Sequence, residues 1–170
     1  TLLYSKAGPL FLFDQVKSSS SEGHVYDWLF HAPQNKDNQR SISYSDQRVM
    51  INRPDARLTL DVVEPQIASA VIRDRNSSLE SFVSLSSKPK LTDVNFFAVI
   101  LPEAKPVTGN FNSLPKTSKL EAEGWIGARV ESKGNVYFGF FRTGSTASAS
   151  VEGFTTDAKN FTVMVIKYSA

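Results

Sequence analysis

Gly23-His24-Val25-Tyr26-Asp27-Trp28-Leu29-Phe30-His31-Ala32-Pro33 is the stretch on which the reading of this chain turns. Tyr26, Trp28 and Phe30 fall at spacing two, so on a pleated strand they share one face, while Val25, Asp27, Leu29 and His31 share the other. The first face reads as core and the second as mixed. The same short-strand grammar recurs along the chain, and no segment shows a sustained helical period with caps.

Upstream, Pro9 to Val16 (Pro-Leu-Phe-Leu-Phe-Asp-Gln-Val) reads as a strand ending near Asp14, joined to Gly23–Pro33 by a polar connection. Two strands linked this way most economically pair antiparallel, which places Asp14 near His31. Downstream of an Asn/Gln/Lys-rich loop come strands at Ser41–Ser45, Arg48–Asn52 and Ala56–Val63. They are joined by turns at Asp46-Gln47 and Arg53-Pro54-Asp55. Ser69 to Ser78 reads as a polar segment with room for a helical turn. Leu79–Ser86 resumes the strand pattern, and Val94–Leu101 is a nearly continuous apolar run expected to be a central strand covered on both sides. Pro102, Pro106, Gly109 and Pro115 mark a long irregular loop. Lys133-Gly134-Asn135 then turns the Leu120–Ser132 region into Val136–Phe141, the clearest hairpin present. Short strands near Val151 and from Phe161 to Tyr168 complete the set. The expectation is all-β: a two-layer antiparallel β-sandwich of roughly 10–12 strands, residues 1–170 forming one domain.

Composition narrows the function classes. The 170 residues are 41% hydrophobic and carry 19 basic against 17 acidic side chains, a net +2. That is enough apolar content for a core and too little charge to attract nucleic acid globally. With no cysteine there is no thiol chemistry or disulfide, and the redox compartment stays open. No apolar run approaches the roughly 18 residues of a membrane helix, so a soluble chain is expected. Its opening at Thr1-Leu2-Leu3-Tyr4 reads as strand rather than leader, as in a processed or excised domain.

The residues that carry chemistry are few. His24 and His31 lie seven apart, on opposite faces of one strand, and cannot jointly grip a metal. Asp14 with His31 has the chemistry of two zinc ligands; the plainer reading is a histidine hydrogen-bonded to a strand-end aspartate. Lys36 to Arg57 holds Arg40, Arg48, Arg53 and Arg57 in a local basic excess of two. Arginine forks there suit carboxylate or sulfate groups of an acidic polysaccharide, against the alternative of a solvated hairpin face. Trp125 and Tyr137 flank the hairpin and are able either to stack on sugar rings or to fill core. Asn76-Ser77-Ser78 and Asn160-Phe161-Thr162 match the glycosylation acceptor pattern. No nucleophile elbow, phosphate loop, dinucleotide fingerprint or calcium loop is present.

Tyr26-Asp27-Trp28-Leu29-Phe30-His31 resembles the C-terminal β-sandwich of the heparinase II/III-like polysaccharide lyases, the alginate and glycosaminoglycan lyase type. The order of pieces is similar as well: Phe11-Leu12-Phe13-Asp14 before it, and Arg57-Leu58-Thr59-Leu60 running to Glu64-Pro65 after it. Trp125-Ile126-Gly127 leading into Val136-Tyr137-Phe138 follows. The resemblance implies β-elimination on uronate-containing polysaccharides, a helical toroid domain as partner, and a periplasmic or extracellular location. It places the catalytic residues outside this chain, so no catalytic residue is carried over and the domain is expected to support the fold and complete the substrate cleft. It also implies a structural zinc in some members, to which Asp14 and His31 correspond while the third, upstream ligand is missing. Arg40, Arg48, Arg57 and Trp125 are the expected substrate contacts. Two other readings remain open: a free-standing carbohydrate-binding module, and a small stand-alone lyase using a Tyr with a neighbouring cation.

Overall fold

The computed structural model describes residues 1–6, 8–33, 41–74, 80–88, 90–105, 113–144, 148–156 and 168–169. Among them there is no helix. The chain runs through β1 (Leu2–Tyr4), β2 (Leu10–Lys17), β3 (Asp27–Pro33), β4 (Ser41–Ser45) and β5 (Arg48–Asn52). It continues through β6 (Ala56–Glu64), β7 (Ile67–Asp74), β8 (Glu80–Ser87), β9 (Asp93–Ala104) and β10 (Lys116–Ala122). The last strands are β11 (Trp125–Ser132), β12 (Asn135–Arg142), β13 (Ala149–Val151), β14 (Phe154–Thr156) and β15 (Tyr168–Ser169). The fifteen strands among the described residues exceed the expected ten to twelve because several are only two or three residues long.

Every pairing among the described residues is antiparallel. A six-stranded sheet has the order β1-β2-β9-β6-β5-β4, a four-stranded sheet β10-β11-β12-β15, and a three-stranded sheet β3-β8-β7, with β13-β14 as a separate hairpin. The six- and four-stranded sheets face one another as the antiparallel β-sandwich that the sequence leads one to expect. Their shared core is Phe11 and Phe13 of β2, Phe97 and Val99 of β9, Ile126, Ala128 and Val130 of β11, and Tyr137 and Phe141 of β12. The Phe13 and Phe141 rings stack at 4.9 Å across the interface. Gly139 lies beneath Phe11, where a Cβ would come within 2.6 Å of the ring, so only glycine admits the phenylalanine at that depth.

The opposite face of the six-stranded sheet is also covered. Val49, Leu60, Val62 and Ala98 pack there against Ile67, Val83 and Leu85, with Trp28 and Phe30 closing the layer. Strand β9 therefore feeds two cores, Phe97 and Val99 into one and Ala98 into the other. This is why its sequence is apolar without alternation, as read for Val94–Leu101.

Two turns match the sequence reading closely. Asp46 and Gln47 both take positive φ (49° and 65°) between β4 and β5, as do Lys133 and Gly134 (52° and 71°) between β11 and β12, the pattern of two-residue hairpins. Two expectations are corrected. The first concerns β2 and β3, which do not pair: β2 lies between β1 and β9, and β3 pairs with β8. The second concerns the polar Ser69–Ser78 segment, whose described part belongs entirely to strand β7. A register irregularity between Ile67 and Ser69 and the run of small residues Ala68-Ser69-Ala70 hide its period. The glycosylation patterns at Asn76 and Asn160, the centre of the Pro102–Pro115 loop and residues 161–167 lie outside the described residues.

Candidate functional site

Where β3 crosses the end of the six-stranded sheet, a groove of about 400 Å³ opens. His31 on β3 forms its lip, Ile51 and Leu58 contribute an apolar floor, and Arg53, Arg57 and Glu103 supply charge. Each is placed by local structure. Arg57, the second residue of β6, lies directly opposite Asn52 of β5 and Glu103 of β9, and Arg53 sits in the turn that its own amide closes onto the Ala56 carbonyl. His31 is opposite Phe82 of β8, their rings 5.6 Å apart.

The electrostatics centre on Glu103. Arg57 Nη2 donates to its Oε2 at 2.5 Å, and both side chains are about nine-tenths buried. Lys133 Nζ lies 3.7 Å from the other carboxylate oxygen. Arg57 and Glu103 thus form a buried ion pair at one end of the groove, and Arg53 brings a second guanidinium to its lining. The groove therefore sets charged side chains beside the apolar Ile51 and Leu58 surface.

Of the residues singled out from sequence, His31 and Arg57 are brought together here. Arg40 lies outside the described residues. Arg48 is committed elsewhere, since its guanidinium grips the carboxylate of buried Asp61 through Nε and Nη2 (2.5 and 2.9 Å), and Nη2 also donates to the Pro115 carbonyl. The Asp61 hydrogen bond raises the Arg48 pKa against the opposing effect of burial. Thr117 Oγ1 donates to the same carboxylate, so this trio ties β5 and β6 to β10 of the facing sheet. Arg48 is thus a structural clamp, not a substrate contact.

Trp125 is corrected in the same way. Only 3% exposed, it packs with Phe138 and Phe140 on the outer side of the four-stranded sheet, leaving no open ring face for a sugar. The signal was in the sequence: Tyr137 to Phe141 carries large side chains on both faces of one strand, with Phe140 lying over Gly127.

Asp14 and His31 do not form a zinc site. Asp14 is opposite Phe96 on β9 and receives a 3.3 Å hydrogen bond from the Thr1 amino group. The β9 residues lining the groove beside His31 are Pro102 to Ala104, six or more positions along, roughly 20 Å of strand. Among the described residues no three His, Asp or Glu side chains converge as metal ligands. Sequence reading placed Arg53 in the basic region without assigning it a role, and missed Glu103, whose part depends on the β6–β9 register.

No family model matches the chain, and no curated protein or solved structure matches it either.

Proposed function

We propose that this chain is a non-catalytic β-sandwich domain of a heparinase II/III-like polysaccharide lyase, holding uronate-containing acidic polysaccharide in the His31–Arg53–Arg57 groove beside a helical catalytic partner in the periplasm or outside the cell. The observation that carries the reading is the convergence of two arginines and a histidine on an apolar-floored groove. The order of strand words described above supports the lyase part. A guanidinium fork meets a carboxylate in two parallel hydrogen bonds, while the Ile51–Leu58 floor accepts the apolar face of a pyranose.

Affinity electrophoresis through gels containing alginate or heparan sulfate tests the reading. Retardation of the wild type, reduced in Arg53→Gln and His31→Gln and absent in gels containing neutral glucan, is expected. Equal mobility in all gels overturns it. Ultraviolet absorbance of the unsaturated elimination product, measured on the same polysaccharides, separates roles: product from this chain alone would make it a small lyase. Retention without product, unaltered by a helical partner segment, would make it a free-standing binding module.

A further inference from the structure

Strand β7 closes the three-stranded sheet, and its far edge pairs with no other strand among the described residues. An open edge presents a row of backbone donors and acceptors, and chains ordinarily guard it with charge, proline or brevity. Here β10 carries Lys116, Lys119 and Glu121, β3 ends in Pro33, and β1 and β15 are only three and two residues long. The run Ile67-Ala68-Ser69-Ala70-Val71-Ile72 of β7 has no charge, proline or glycine, and its register irregularity lies at the very start, between Ile67 and Ser69. Register fixes which way the side chains face. Ala70 and Ile72 lie opposite the fully buried Leu85 and Val83, so they face the core, while Val71 lies opposite Ser84 on the solvent side. Ile72 nevertheless stays 40% exposed and Val71 43%. Among the described strands only β7 leaves large apolar side chains exposed on both of its faces.

We propose that β7 pairs antiparallel with the β7 of a second copy of this chain, joining two three-stranded sheets into one of six in a two-fold dimer. The charge pattern selects the occupant and the direction. The charges of β7, Arg73 and Asp74, stand together at its C-terminal end. Parallel pairing in register would set Arg73 against Arg73 and Asp74 against Asp74, whereas antiparallel pairing sends the two charged ends to opposite ends of the seam. A two-fold axis at Val71 places Val71 against its own copy on the solvent face and Ile72 against the partner's Ala70 on the core face, with Arg73 against the partner's Ser69. The large core-facing side chain meets a small one, and no like charges are opposed. Strand β4, which lies against β7, is Ser-Ile-Ser-Tyr-Ser and brings no charge to the seam. Each copy uses its single β7, so the contact closes on itself as a dimer. One strand and two aliphatic side chains per copy fall well short of the roughly 800 Å² per partner of a standard interface, so the dimer is reversible, with a dissociation constant on the order of 10–100 µM. The joined sheet has the order β3-β8-β7-β7-β8-β3. His31 then lies on the outermost strand at each side, roughly 24 Å apart across five strand spacings, and one particle carries two grooves.

The chain has no cysteine, so single-cysteine variants report the seam directly. Opposed Cα atoms of an antiparallel pair are about 4.5–5.5 Å apart, within disulfide reach. Under mild oxidation at a protein concentration above the dissociation constant, Val71→Cys should cross-link to a single covalent dimer. Ser118→Cys, exposed on the free edge of β10, should not. Sedimentation of the wild type should show a monomer–dimer equilibrium, and Val71→Lys should weaken it about tenfold by opposing two ammonium groups across the seam. Val71 faces solvent, so its variants should melt with the wild type, and the cross-link keeps the seam testable should Val71→Lys disturb folding. A wild type that stays monomeric up to about 1 mM overturns the dimer. A dimer left intact by Val71→Lys, or cross-linking by Ser118→Cys in place of Val71→Cys, moves the contact elsewhere and overturns it too. Species that grow beyond dimers with concentration would make the contact an open stack and overturn the two-fold pairing. None of these readouts involves polysaccharide, so the dimer stands or falls apart from the groove.

Discussion

Replacing Glu103 with Gln should move stability and anion binding in opposite directions. Its carboxylate accepts from Arg57 Nη2 at 2.5 Å with both side chains about 90% buried. Removing one charge from such a pair leaves the other desolvated without its counter-ion, which costs about 3–5 kcal/mol. The contact to half-exposed Lys133 at 3.7 Å adds under about 1 kcal/mol. Because the Gln carbonyl still accepts one hydrogen bond, the low end applies, about 3 kcal/mol. With a urea m-value of about 1.5–3 kcal/mol/M, the unfolding midpoint should fall by roughly 1–2 M. The double variant Glu103→Leu/Arg57→Leu removes both charges together and should recover most of the loss. Glu103→Gln also raises the net charge of the groove by one, so retardation in acidic polysaccharide gels should increase at low salt and converge with wild type as salt screens the field. A Glu103→Gln stability within about 0.5 kcal/mol of wild type, or a double variant less stable than either single, would refute the buried-pair reasoning.

Gly139→Ala should lower Tm by about 2–12 °C, from the 1–3 kcal/mol typical of overpacking, and Phe11→Leu in the same chain should offset part of that in a double-mutant cycle. Asp61→Ala should destabilise by about 3 kcal/mol, because it strips partners from both Arg48 and Thr117, and urea unfolding checks it. For Lys119, burial opposes the charge, but hydrogen bonds to Glu121 and Glu64 prevail and raise its pKa above 10.5. Its stabilisation is therefore complete below pH 10.5 and lost as pH rises through the folded value. The Lys119→Met variant should trail wild type by under about 1 kcal/mol at pH 7 and match it at strongly alkaline pH. Trp125→Phe should lower Tm while leaving polysaccharide retardation unchanged, since the indole is core; reduced retardation in a variant of unaltered Tm would return it to the binding surface.

What could be read from sequence was local. The Trp28-Phe30 spacing, the Asp46-Gln47 and Lys133-Gly134 turns and the apolar run from Val94 to Leu101 each express a period or a turn preference within ten residues, and each appears in the structure as read, although the strand read from Gly23 begins only at Asp27 and leaves His24 in an isolated bridge to Leu91. What failed was partner choice. β2 pairs with β9 instead of β3 because Phe11 and Phe13 need the facing Phe141 and Ile126, a requirement set more than a hundred residues away. The Asp14–His31 proximity fell with that pairing. Arg48 and Arg57 look alike in sequence, and register gives each a buried carboxylate, Asp61 to the first and Glu103 to the second; only the second pair lines the groove.

The seating of β2 beside β9 has a consequence during synthesis. Gln15 and Asn95, side by side in the sheet, are 80 residues apart in the chain. At about 5–20 residues per second, the Leu10–Phe13 segment waits roughly 4–16 s after its own emergence before its partner exists. For that interval a bare aromatic strand edge stands open to other nascent chains. A holdase that shields Leu-Phe-Leu-Phe should raise the soluble yield of this domain more than one acting on any later segment.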